Sequence, residues 1–477
     1  MARTENLPVF ESELVDGGLQ VNVSNVTGDL VLVIGFGAEG HTYADDYINQ
    51  PIRINKGDEA EFVYGLASNN SSLTQAIYEV LGAGANTVFG FNLGQWGTAT
   101  YTDPATDIVY PLFTSLGGSP ELFEINTANY YKALGYAYEL LKNWNADVIY
   151  PADAYAFDAV TPVSGRPTNF GYQAAFAAYE MSSQNNEVIV VMNVEPAASG
   201  TLSYVADYIG TLPTTNVLGV ITQNGTGLLG EPYLVGEVGN VVLPGFYASN
   251  FDGDDSKYGL PPLATTEILL DRKNNRVDIG RYLSIVAEQP TYSNGAFTTG
   301  GGAATYTGLG GSAYAGLVST LVPHSAPTNK IVPGISTLYY SKSLSQLDKL
   351  AGARYVTFRR TNRGILVTDS PTAARPGSDY NRLQVMRIVN AVMKMTRLVA
   401  DPFIGEPNSD AMRNALQTAL DKQYKKFCTT GALRQYDFKV VASDADRVLG
   451  NMNIELTLVP EFETRRIRAV VVIKPNI

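Results

Sequence analysis

Gly35-Phe36-Gly37-Ala38-Glu39-Gly40 is a G-x-G-x-x-G following the apolar run Leu30–Ile34, which is the spacing of a dinucleotide-binding turn. That chemistry needs a helix to begin at the turn, because its first amides hold the pyrophosphate. The residues that follow, His41 to Lys56, include Tyr43, Asp45, Asp46, Asn49 and Pro51 and are poor helix material. A glycine-rich strand exit is the better account of Gly35, Gly37 and Gly40, with a soluble nucleotide-binding enzyme as the alternative. Asp252-Gly253-Asp254-Asp255 looks like the start of a calcium loop, but Leu263 stands where the EF-hand glutamate belongs, so a solvated turn is expected. The two histidines, His41 and His324, are far apart in sequence and leave little imidazole for acid–base work. The single cysteine, Cys428, has no partner for a disulfide or a thiolate zinc site and reads as a small packed hydrophobe in a reducing compartment. No phosphate loop, H-E-x-x-H or G-x-S-x-G is present. No catalytic residue, cofactor or metal is expected.

Charge is more informative. The net charge of −12 is unevenly spread. Residues 331–477 hold 22 Lys and Arg against 13 Asp and Glu, net +9; residues 1–330 hold 12 against 33, net −21. A basic last third on an acidic body implies two different surroundings. Within it, Arg387 and Lys394 are two helical turns apart and share a face with Arg397, while Lys422, Lys425 and Lys426 crowd the end of the next helix. Lysines at a helix C-terminus favour the macrodipole without any partner; the other reading is a surface that docks on something acidic. No basic-aromatic motif of a nucleic-acid module accompanies these residues, so direct nucleic-acid binding is not expected.

The elements that would position them follow from periodicity. Helices are expected over Ser72–Leu81 with Ser71 or Ser72 as cap, Thr127–Trp144, Phe170–Met181, Ser343–Leu350, Tyr380–Ala400 (stopped by Pro402) and Ser409–Phe427. Strands are expected at 30–34, 87–91, 147–150, 187–192, 217–222, 233–238, 240–243, 355–358, 364–368, 436–441, 453–459 and 466–473. Residues 291–311, rich in Gly, Thr, Ser and Ala, read as a long loop. The fold class is a multidomain α+β or α/β chain. Its expected parts are an arm at 1–20, an α/β domain at 21–199 with a small insertion near 94–120, a β-rich outer segment at 200–330, a C-terminal α/β domain at 331–465, and a terminal strand at 466–477. Leu7, Val9 and Phe10 in the arm, and Val470, Val472 and Ile473 in the last strand, could be donated to the sheet edge of a neighbouring subunit. The N-terminus has no apolar signal-peptide core and no stretch reaches a membrane span, so a soluble chain without membrane insertion is expected.

Several segments carry a family resemblance. They are Arg363-Gly364-Ile365-Leu366-Val367, Asp379-Tyr380-Asn381-Arg382-Leu383, Phe403-Ile404-Gly405-Glu406-Pro407-Asn408, Gly431-Ala432-Leu433, and Gly450-Asn451-Met452-Asn453-Ile454 leading to Val459-Pro460-Glu461-Phe462. In this order they resemble the C-terminal domain of the contractile tail sheath family of bacteriophages and related injection particles. Tyr64-Gly65, Ser72–Ile77 and Gly82–Val88 resemble the family's first globular segment. The motif F-x-x-E-P-N is looser here than the family's F-E-P-N, with Ile404-Gly405 inserted, and Thr368-Asp369-Ser370 replaces an aromatic-rich stretch. The resemblance implies a structural subunit without catalysis, stacked with copies of itself in six-fold rings as a helical sheath. The C-terminal domain would face an inner tail tube protein, with baseplate and tail terminator proteins at the ends. Terminal arms would add strands to neighbouring subunits, and contraction would drive the tube through a target cell envelope. It also implies a virion tail assembled in the host cytoplasm. Another tail structural protein, such as a tube or baseplate subunit, is a further alternative.

Overall fold

The computed structural model describes residues 30–156, 159–160, 168–194, 279–293 and 305–465, apart from a few loop positions within those spans. The arm, the Asp252–Asp255 turn, the strands expected between 200 and 278, and residues 466–477 lie outside the described residues.

The strand Val31–Gly37 (β1) is buried along its whole length, as a continuous apolar run should be when helices cover both faces of a parallel sheet. Pro51–Ile54 (β2) leads into two helices, Gly57–Tyr64 (α1) and Ser72–Gly82 (α2). The expected cap is real: Ser71 Oγ accepts from Thr74 N at 3.2 Å. Val88–Gln95 (β3) pairs parallel to β1 and antiparallel to β2. The insertion near 94–120 consists of two hairpins, Thr100–Thr102 (β4) with Val109–Pro111 (β5), and Phe113–Gly117 (β6) with Leu122–Ile125 (β7). The helix Thr127–Leu141 (α3) then returns to Val148–Pro151 (β8), parallel to β1 on its other side.

A short pair, Ala159–Val160 (β9) and Thr168–Asn169 (β10), precedes the helix Phe170–Ser183 (α4) and the strand Ile189–Asn193 (β11). Leu283–Val286 (β12) joins β11 in parallel. Pro290–Ser293 (β13), Thr305–Thr307 (β14) and Ile335–Leu338 (β15) form a small antiparallel sheet around the helix Gly310–Thr320 (α5). After Leu344–Gly352 (α6), Tyr355–Val356 (β16) completes the main sheet, whose order is β16-β12-β11-β8-β1-β3-β2. Phe358–Thr361 (β17) and Gly364–Val367 (β18) form a hairpin beside it.

Adjacent residues of β1 show that the sheet is covered on both sides. A Cβ on Gly35 would sit 3.1 Å from Ser72 Oγ and 3.2 Å from Leu73 N, at the start of α2. Phe36 points the other way, with its ring 5.5 Å from that of Tyr130 in α3 and 4.8 Å from that of Phe113.

The sheet draws on distant parts of the chain. It takes strands from all three segments expected to divide at 199/200 and 330/331, because β12 and β16 continue the sheet begun by β1. Parallel strands are joined by long crossovers, so neighbours in space come from distant sequence. The expected loop at 291–311 holds β13 and β14 and the start of α5. The small residues of α5 are there for close approach: a Cβ on Gly316 would lie 2.4 Å from Val80 O of α2.

The C-terminal layer begins with the helix Leu383–Ala400 (α7), followed by Asp410–Thr429 (α8). The hairpin of Leu433–Val441 (β19) and Asn453–Pro460 (β20) encloses the short helix Asp444–Leu449 (α9), which has a Ser443–Asp446 capping box. Phe438 of β19 meets the ring of Tyr424 in α8 edge-on at 5.0 Å, which fixes the hairpin to the helix.

Candidate functional site

The glycine turn is already occupied by its own chain. Phe36 N donates to Ser72 Oγ at 3.0 Å, Gly37 N to Asn92 Oδ1 at 3.1 Å, Ala38 N to Tyr64 O at 2.7 Å, and Gly40 N to Gln95 Oε1 at 3.2 Å. The amides that would cradle a pyrophosphate are spent on these bonds, and the next helix starts only at Gly57. His41 Nε2 lies 2.9 Å from the carbonyl of Phe62, and burial pushes the Cys428 thiol up, away from nucleophilic use.

The basic residues of α7 and α8 separate into two groups. Those of α7 grip their own chain. Arg387, 4% exposed, donates to the carbonyls of Leu321 and Val322 at the C-terminal end of α5. Lys394 Nζ lies 3.0 Å from Asp147 Oδ1, and Arg397 pairs with Glu187. Arg387, Lys394 and Arg397 therefore share a helix face as the spacing indicated, but that face is turned onto the α/β unit rather than left open as a docking surface. In α8 the buried stripe is Leu416, Leu420, Tyr424 and Phe427, and Tyr424 also shares a hydrogen bond with Thr396 of α7 at 2.8 Å. Lys422, Lys425 and Lys426 are exposed. Lys425 pairs with Asp421 one turn earlier at 2.5 Å, and that bond, with one from Tyr436, holds the Asp421 carboxyl below its ordinary range.

Two of the sequence motifs of the last third meet in space. Asn408 Nδ2 donates to Asn451 O at 2.8 Å, joining F-x-x-E-P-N to G-N-M-N-I. Arg413 Nη1 donates to Asn408 Oδ1 at 2.6 Å, and its other nitrogen pairs with Asp410, which Arg447 of α9 reaches at 3.1 Å. In the C-terminal layer Leu398, Ile404, Val448 and Leu449 are exposed, Val448 at 88%. Among the described residues, β19 and β20 pair only with each other, so each has an open edge. Leu7, Val9, Phe10, Val470, Val472 and Ile473 lie outside the described residues. Among the described residues no helix is long and apolar enough to cross a membrane.

No protein-family model and no curated protein matches the sequence. Solved structures match it end to end. The chain is 12% identical to the helical sheath of the anti-feeding prophage in its contracted state, covering 98% of this chain and 97% of that one at a TM-score of 0.53. It is 11% identical to the PVC sheath complex of an extracellular contractile injection system, also contracted, over 100% and 99% of the two chains at 0.55. The chain has the contractile-sheath fold. A chain from the contracted anti-feeding prophage baseplate is similar too, 14% identical over 99% of this chain and 100% of that one at 0.51. At these identities the side chains differ almost throughout. In this chain the fold is a mixed, mostly parallel sheet with helices on both faces, and a C-terminal layer of two helices and a hairpin. That arrangement is the expected mixed α/β class.

Proposed function

We propose that the chain is a structural, non-enzymatic subunit of a contractile sheath. It polymerises with copies of itself in stacked six-fold rings around an inner tube and contracts to drive the tube through a target cell envelope. The observation that carries this reading is the likeness, along the whole length of both chains, to sheath subunits of two contractile particles. On this reading the C-terminal layer faces the tube, baseplate and terminator proteins bound the two ends, and the chain resides in a virion or related particle tail assembled in the host cytoplasm. The open edges of β19 and β20 are where terminal strands of neighbouring copies, through Leu7, Val9 and Phe10 or Val470, Val472 and Ile473, would add by β-augmentation. Nucleotide binding is the weaker reading, since the glycine-turn amides are bonded within the chain. Negative-stain microscopy of the purified full-length chain tests the proposal. Hollow striated cylinders are expected; dispersed single 51.4 kDa particles throughout a concentration series would overturn it.

The tube-facing part of the proposal rests on Lys422, Lys425 and Lys426. Exposed, weakly paired charges suit an interface that has to break on contraction. Changing all three to Gln, which adds no like charge beside Asp421, is expected to leave the unfolding free energy within about 1 kcal/mol of the parent, because the sites are on the surface. The variant is nevertheless expected to assemble no extended sheath on tubes. Extended particles at parental yield would remove these lysines from the interface.

A further inference from the structure

Asp147 sits at a junction of three elements. Its Oδ2 accepts from Leu30 N at 2.8 Å, where the chain enters β1. Its own N and that of Val148 donate back to Leu30 O at 3.0 and 3.1 Å, and its carbonyl accepts from Ile189 N of β11 at 3.0 Å. Its second carboxylate oxygen, Oδ1, accepts from Lys394 Nζ of α7 at 3.0 Å. One turn along α7, Arg397 holds Glu187, whose side chain is 4% exposed, two residues before β11. Two turns back, Arg387 closes on the carbonyls that end α5. A single face of α7 thus binds the roots of β1, β8 and β11 and the end of α5.

We propose that Asp147 is a positioning residue that couples the entry of β1 to helix α7, so that displacement at one is felt at the other. The reason lies in the shared carboxylate. One oxygen serves the backbone of β1 and the other serves the helix, so rotating the group to follow either partner loosens the other. The Lys394 and Asp147 side chains are 20% and 17% exposed, so the pair is shielded in a way that a surface ion pair is not. Charge-assisted bonds that share an acceptor in such a setting act together. The purpose of the coupling rests on the sheath reading: the proposed linking arm, residues 1–20, precedes β1 in sequence, and α7 carries the C-terminal layer. Load arriving through an arm would reach that layer through Asp147 rather than through the flexible side chains of the surface.

Amide hydrogen exchange on the full-length chain tests it. Lys394→Met is expected to speed exchange at Leu30 and Val148 by about tenfold, the order expected when a charge-assisted partner is lost from a locally opening unit. Amides of β2, at an edge of the sheet that α7 does not grip, should exchange as in the parent. Lys394→Arg should restore protection, and Lys425→Met, on the exposed face of α8, should change nothing at either amide. Exchange at Leu30 and Val148 within about twofold of the parent in Lys394→Met would overturn the coupling. A uniform rise including β2 would also overturn it, since that reports general destabilisation. Polymerisation is read separately by microscopy of the unmodified chain, so failure of the sheath reading leaves the exchange result intact.

Discussion

Lys342→Met is expected to cost about 3–5 kcal/mol of unfolding free energy, enough to bring the chain close to unfolding at ordinary temperature. Lys342 Nζ lies 2.7 Å from Glu288 Oε1, and the two side chains are 1% and 0% exposed. Glu288 follows β12 and its other oxygen accepts from Phe358 N at 2.9 Å, where β17 begins. Its carbonyl accepts from Gly310 N, where α5 begins. Removing the ammonium leaves a carboxylate in the middle of the molecule with water excluded, and the penalty is that of an uncompensated buried charge rather than of one lost contact. The double variant Lys342→Met with Glu288→Gln should recover most of the loss. The amide oxygen can still accept from Phe358 N, and no charge remains. Urea unfolding of the parent, the single and the double variant measures this directly. If the double variant is as weak as the single one, the cost lies in packing around Lys342 and not in the stranded charge.

That pair also shows what the sequence conceals. Elements built on local periodicity were legible: β1 from its apolar run, α2 from its stripe and serine cap, and α7 and α8 from their spacing and the Pro402 stop. Helix α5 was not legible. Its first two glycines fell in the expected loop and no element was expected over the rest, yet its small residues are what lets its backbone approach α2, and small residues carry no periodic signal of their own. The open lysines of α8 and the spent cations of α7 look alike in sequence. Only the fold separates them, because Lys394 meets Asp147 across 247 positions and Arg397 meets Glu187 across 210. Helical spacing says which side chains share a face, but not what that face is turned toward. The partners of β12 and β16 are likewise hidden in sequence, since they are set by crossover topology and not by composition.

The α2–α5 seam carries a second buried carboxylate, and its effect is opposite to that of a salt-bridged one. Glu79 of α2 lies between the helices, with Ser312 of α5, Gln75 and Tyr306 as hydrogen-bond partners. Burial pushes its carboxyl up from 4.5 to about 7, against the opposite pull of those hydrogen bonds. The folded chain therefore keeps a proton between pH 4.5 and 7 that the unfolded chain has already released. Stability from this group is full below that window, falls as the pH rises through it, and is lost above it, a change of about 3 kcal/mol in total. Asp153, buried and pushed up to about 6 with Ser72 Oγ as donor, adds to the same trend at the other end of α2. Glu79→Gln is accordingly expected to match the parent near pH 4 and to exceed it by about 3 kcal/mol at pH 8, because the amide never has to ionise in the seam. Unfolding free energies measured at several pH values between these limits provide the check. A stability difference between the two chains that stays constant across that range would mean that Glu79 ionises in the fold as it does in water, and that the seam between α2 and α5 admits solvent.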